Sequence, residues 1–116
     1  RLRSHAHHHT HEPPRVEDAF DTGAIDGVLQ LMVPIYAAVW MWRPSRIGAS
    51  TFGLLYGLWL QWIHSDDPTS LSRTSTLFVT PAYHRAHHLH ANVNYGHVLR
   101  VWDRACGTSR HDAVTP

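Results

Sequence analysis

The strongest constraint on this chain is a pair of apolar runs set almost back to back. Gly27 to Trp42 is interrupted only by Gln30 and Pro34, Ile47 to Ile63 contains no charged residue, and only Arg43-Pro44-Ser45-Arg46 separates them. Such a short connection fits a tight helical hairpin, with Ser45 available to cap the second helix. At about 1.5 Å per residue the runs reach about 24 and 26 Å, slightly short of a hydrocarbon core of about 30 Å. Trp40 and Trp42 stand at the loop end and Trp59 and Trp62 at the other, where amphipathic rings anchor at a bilayer surface. With little chain outside the hairpin to cover it, lipid is the better solvent for this surface. The expected fold class is therefore all-α, an integral-membrane helical hairpin capped by its flanking segments. A soluble helical hairpin is the alternative for spans this short.

A hairpin returns the chain to the side it left, so the segment 1–26 and the segment 64–108 should face one compartment, with 109–116 a loose tail. Eleven of the twelve histidines lie in these two segments, and the twelfth, His111, lies in the tail. Close to the spans Arg15 and Arg73 oppose Arg43 and Arg46, so nearby charge does not orient the hairpin. The 116 residues suit a single domain, and their start at Arg-Leu-Arg, without methionine or signal pattern, reads as the C-terminal part of a longer protein. Net charge is +1 and no dense cationic stripe occurs, which argues against a nucleic-acid partner. The single cysteine, Cys106, excludes an intrachain disulfide and any multi-cysteine metal site. If metal binds, histidine must bind it.

Two blocks share one spacing, His5-x-x-His8-His9 and His84-x-x-His87-His88. On a helix, positions i, i+3 and i+4 lie on one face, so each block can aim three imidazoles at one point. Folding the hairpin brings the blocks together, and His64 adds a seventh ring where the second apolar run ends. A lone block also arises on solvated surfaces, and the consecutive His7, His8 and His9 resemble an expression tag; the independent repeat at His84 argues against both. His7, His11, His90, His97 and His111 fall outside the repeated pattern and suit supporting or surface places.

Residue types exclude several other chemistries. A carboxylate-bridged di-iron bundle needs Glu-x-x-His pairs, and the only glutamates, Glu12 and Glu17, lack a histidine three residues on. Neither the H-E-x-x-H metalloprotease motif nor a Gly-x-Ser-x-Gly hydrolase elbow is present. An all-nitrogen site fits redox-active iron able to bind dioxygen, and an apolar substrate could enter sideways from a bilayer.

The order of these motifs resembles the fatty acid hydroxylase / sterol desaturase superfamily. His5-Ala6-His7-His8-His9-Thr10 is similar to its H-x-x-H-H-S/T box, and Gln61-Trp62-Ile63-His64 to its lone-histidine segment. Thr80-Pro81-Ala82-Tyr83-His84-Arg85-Ala86-His87-His88 is similar to its T-P-x-x-H-R-x-H-H box, and Asn94-Tyr95-Gly96, Trp102-Asp103-Arg104 and Gly107-Thr108 resemble its closing N-Y-G, W-D-R and G-T elements. The resemblance implies an integral-membrane oxygenase that hydroxylates or desaturates a fatty acyl chain or sterol. It implies two iron ions (zinc being possible after purification), dioxygen as co-substrate, and a separate cytochrome b5-like or ferredoxin-like electron donor. It carries the metal ligands over to His5, His8, His9, His64, His84, His87 and His88, and turns the histidine-rich side toward the cytoplasm. Asn94, Tyr95 and Asp103 match family positions and are expected to support the histidine cap. The family's earlier histidine box would precede Arg1, so this stretch by itself is expected to be inactive, and Cys106 replaces the usual phenylalanine. The competing reading is a non-catalytic histidine-rich membrane protein that binds or transports metal.

Overall fold

A computed structural model of the chain describes residues 15–20, 24–65 and 75–110. Regular structure among these residues is helical, and their one β contact is an isolated antiparallel bridge between Phe78 and Leu99. The all-α class expected from the sequence therefore holds for the described residues. A 3-10 helix, Val16–Phe20, comes first. Then α1 (Ala24–Asp26) runs through a π-helical segment, Gly27–Met32, into α2 (Val33–Trp42). Pro34 accounts for the widened turns: it has no N–H for the carbonyl four residues earlier, and its ring crowds that carbonyl.

The helix stops at Arg43, whose backbone is left-handed at φ 43° and whose N–H closes on the Val39 carbonyl. Pro44 follows, and Ser45 turns extended so that its hydroxyl accepts from Gly48 N at 3.0 Å, starting α3 (Arg46–Ile63). The connection and its cap are those expected, but the close packing of a tight hairpin is not. α2 and α3 share the turn without packing along their lengths, and α3 instead meets the 3-10 helix and α4 (Pro81–His90).

No side chain of α2 is buried, and α3 buries only Leu60 and Ile63, both near its far end. Most of their other apolar side chains stand open, Trp40 at 76% and Ile47 at 80% exposure. Among the described residues no helix is long and apolar enough to cross a membrane. α3 has 18 residues, but Gly48, Ser50, Thr51, Gly53, Gly57 and Gln61 dilute its hydrophobicity.

The core lies where the end of α3 meets the cap. Leu60, Ile63, Val79 and Tyr83 form it, with Ala19, Tyr56, Trp59 and Trp62 packed at its edge. At the start of α4, Thr80 is the N-cap, accepting from Tyr83 N at 3.3 Å, and Pro81 occupies the first turn, where a missing N–H costs nothing. Ala91, left-handed at φ 51°, ends the helix by returning its N–H to the His87 carbonyl. A short final helix, α5 (Val101–Ala105), closes the cap.

Candidate metal centre

α3 and α4 meet at a cluster of imidazoles. His64 is the C-cap of α3, while His84 and His88 lie one turn apart on α4. All three are buried, and one ring nitrogen from each falls within 4.8 Å of the other two. His84 Nε2 is 3.1 Å from His64 Nε2 and 3.2 Å from His88 Nε2. Two nitrogens each about 2.1 Å from one ion, at right angles, are about 3.0 Å apart. The spacing is that of neighbouring ligands around a single cation.

Proton bookkeeping supports the same arrangement. His64 Nδ1 lies 2.8 Å from the Leu60 carbonyl, which can only accept, so that nitrogen carries the proton and Nε2 presents its lone pair to the cluster. His84 Nε2 faces both neighbours, yet one ring nitrogen carries either a proton or a lone pair and cannot serve both. Either tautomer also leaves buried His84 Nδ1 without a hydrogen-bond partner. A cation met by three lone pairs would satisfy all three nitrogens at once, so the residues fit a metal.

Electrostatics keep the rings in the ligand form. Desolvation, and then the neighbouring His64, His88, His97 and His87, push His84 well below the usual histidine value. His64 is also lowered by desolvation, with its carbonyl partner and the charge of Asp18 pulling the other way. Neutral imidazole is what binds metal. His87 stacks beside His84, ring centroids 5.7 Å apart, and donates from Nδ1 to the Val93 carbonyl at 2.8 Å, which leaves its Nε2 as a lone pair. It sits next to the three-nitrogen group without belonging to it.

The cap behind α4 is held by buried polar side chains. Asp103 accepts from Tyr95 N and Thr108 Oγ1 through Oδ1, and from Gly96 N through Oδ2, at 2.7–2.8 Å. Asn94, left-handed at φ 55°, donates to the carbonyls of Tyr83 and Arg110 and accepts from Arg110 N. Tyr95 contributes its backbone to this net and leans its ring on His87, centroids 5.4 Å apart. Gly96 is required by close approach, since a Cβ there would lie 2.6 Å from the Leu99 carbonyl oxygen. Arg100, also buried, donates to Thr80 Oγ1 at 3.0 Å and lies over the Tyr83 ring.

Of the expected ligands, the structure brings His64, His84 and His88 together and places His87 beside them. His5, His8 and His9 lie outside the described residues, as do His7, His11 and His111. Two further residues reach the site, Asp18, which the sequence did not single out, and His97, read as a supporting or surface histidine. Asp18 is a buried carboxylate on the 3-10 helix whose charge acts on His64. His97 turns its ring edge toward His84 at 6.1 Å between centroids. Neither carries a spacing signal; only the fold makes them neighbours of the cluster.

The model of the fatty acid hydroxylase family matches residues 2–108. An alternative squalene epoxidase from Phaeodactylum tricornutum is 32% identical over 110 residues, covering 92% of this chain and 32% of the relative. A Delta(7)-sterol 5(6)-desaturase from Leptosphaeria maculans is 31% identical over 86 residues, 74% of this chain and 23% of the relative. An alkylglycerol monooxygenase from Homo sapiens is 30% identical over 112 residues, 90% of this chain and 24% of the relative. The chain thus spans only 23–32% of the length of these relatives. No solved structure matches it. With a family match that takes in His64, the α4 histidines and the Asp103 net alike, the chain belongs to the fatty acid hydroxylase family.

Proposed function

We propose that this domain serves a membrane-bound dinuclear iron oxygenase that hydroxylates or desaturates a lipid. The observation that carries the reading is the convergence of His64, His84 and His88 on one point at ligand spacing. These three hold one ion, and His87 with His5, His8 and His9 supplies further nitrogens for the pair. Iron there would activate dioxygen and remove hydrogen from an unactivated C–H bond. The protein supplies the rest. The Leu60 and Val93 carbonyls fix two rings, and burial keeps His84 and His64 neutral. Asn94, Tyr95 and Asp103 brace the loop behind them.

The relatives' names support the class of substrate, since squalene, a sterol and an alkylglycerol are all lipids. The apolar side chains left open along α2 and α3 suit a hairpin immersed in lipid, with the histidine cap on the cytoplasmic side. Electrons come from a separate cytochrome b5-like or ferredoxin-like donor. As a single domain it comprises the first histidine-rich segment 1–26, the hairpin 27–63, the second histidine-rich segment 64–108 and a tail.

Expressing the complete gene in a host membrane tests this. Bound iron, together with a lipid that gains one oxygen or loses two hydrogens, is expected. Zinc without iron and an unchanged lipid profile would replace this reading with non-catalytic metal binding.

A further inference from the structure

His97 lies between the nitrogen cluster and the apolar face of α3, where it is gripped twice. Tyr56 OH meets His97 Nδ1 at 3.2 Å, and Trp59 Nε1, from the next turn of α3, donates to the His97 carbonyl at 2.7 Å. Phe52 stacks flat under Tyr56 one turn earlier, ring centroids 5.6 Å apart and planes within 7°. On its other side the His97 ring stands edge-on to His84 at 6.1 Å. Phe52, Tyr56, His97 and His84 therefore form a continuous line from the open apolar face of α3, beside exposed Leu55, to the buried nitrogens. Next to this line Gly53 leaves open space, since a Cβ there would meet nothing within 4 Å.

A polar pair is unexpected along such a line. Packing alone would be served by phenylalanine at 56. A phenol oxygen has one proton and two lone pairs, so its contact with His97 leaves acceptor capacity on that oxygen. A lipid hydroxyl arriving along α3 would find an acceptor there, at a fixed distance from the cluster.

We propose that Tyr56, oriented by His97, accepts a hydrogen bond from a hydroxyl group of the substrate. Resting on the oxygenase reading, this narrows the substrate to a hydroxyl-bearing lipid such as a sterol or a glycerol ether, and away from the mid-chain methylenes of a simple acyl chain. Tyr56 is the contacting group, and His97 and Trp59 are positioning residues.

The test uses the complete protein in detergent and two matched probe pairs, cholesterol against cholestane and 1-O-hexadecylglycerol against hexadecane. Equilibrium binding is read by quenching of tryptophan fluorescence, alongside turnover and iron content. The wild type is expected to prefer at least one hydroxylated probe over its hydrocarbon by about tenfold or more. Tyr56→Phe should collapse that preference to about twofold or less with iron content unchanged. His97→Asn, which removes the ring that orients the phenol, should weaken the preference with iron content unchanged and so stands as the informative variant if Tyr56→Phe fails to fold. No preference in the wild type, or a preference left undiminished by Tyr56→Phe or by His97→Asn, would overturn the proposal. Preference without turnover by an iron-free protein would uphold the hydroxyl site while sinking the oxygenase reading; turnover without preference would do the reverse.

Discussion

At His84 the cost of burial and the need for a neutral ligand coincide. Desolvation holds its folded-state pKa well below the usual 6.5, so above that value the ring is neutral whether folded or not. As pH falls below about 6.5 the unfolded chain takes up the proton first, so stability drains away until the folded-state pKa is passed. His64 acts in the same direction. The unfolding midpoint of the complete protein should be flat from about pH 8 to 7 and decline below about 6.5, since proton binding favours the unfolded chain. A midpoint that rises on acidification would contradict the burial argument. Gly96→Ala should destabilise by about 1–3 kcal/mol, because its Cβ would press on the Leu99 carbonyl, which is backbone and cannot swing aside. Denaturant unfolding of the variant checks this, and an unchanged midpoint would count against the close approach. That the histidines of α4 share one face was legible from spacing alone, because a helix repeats on i, i+3 and i+4. Asp18 and Tyr56 were not legible, and His97 was read only as a supporting or surface residue, since their relation to the cluster spans long stretches of chain.

Among the elements, the two helix caps differ in what else they hold. Ser45 is exposed and accepts only from Gly48 N, so Ser45→Ala should cost about 1 kcal/mol or less. Thr80 is fully buried and accepts from both Tyr83 N and the Arg100 guanidinium. Thr80→Ala should therefore cost about 2–3 kcal/mol, since it also leaves a buried cation short of an acceptor. Hydrogen exchange at the first turns of α3 and α4 would rank the two, and equal effects would contradict the accounting. Both caps could be read from the sequence, as could the helix from Pro81 to His90, because Ser, Thr and Pro act locally. The π-helical turns before Pro34 were not read, and neither was the absence of packing between α2 and α3. The first depends on how the helix absorbs a missing N–H, the second on what surrounds the hairpin.

For the whole molecule, the core gathers at the cap while the hairpin keeps its apolar side chains outside. The balance predicts two different environments. Leu55 is 61% exposed, so in water Leu55→Lys would be nearly neutral, within about 0.5 kcal/mol. In lipid the same change costs about 2.5–3.5 kcal/mol near the middle of a span. The fraction of the complete protein inserted in host membranes should drop with Leu55→Lys, and an unchanged fraction would argue that protein or water covers this face. The most direct measurement concerns the cluster itself: metal content of the complete protein, purified beside its His64→Ala, His84→Ala and His88→Ala variants. Two iron ions per chain in the wild type and a clear loss in all three variants, strongest for His84→Ala, is the predicted result; full metal content in His84→Ala would contradict a shared site.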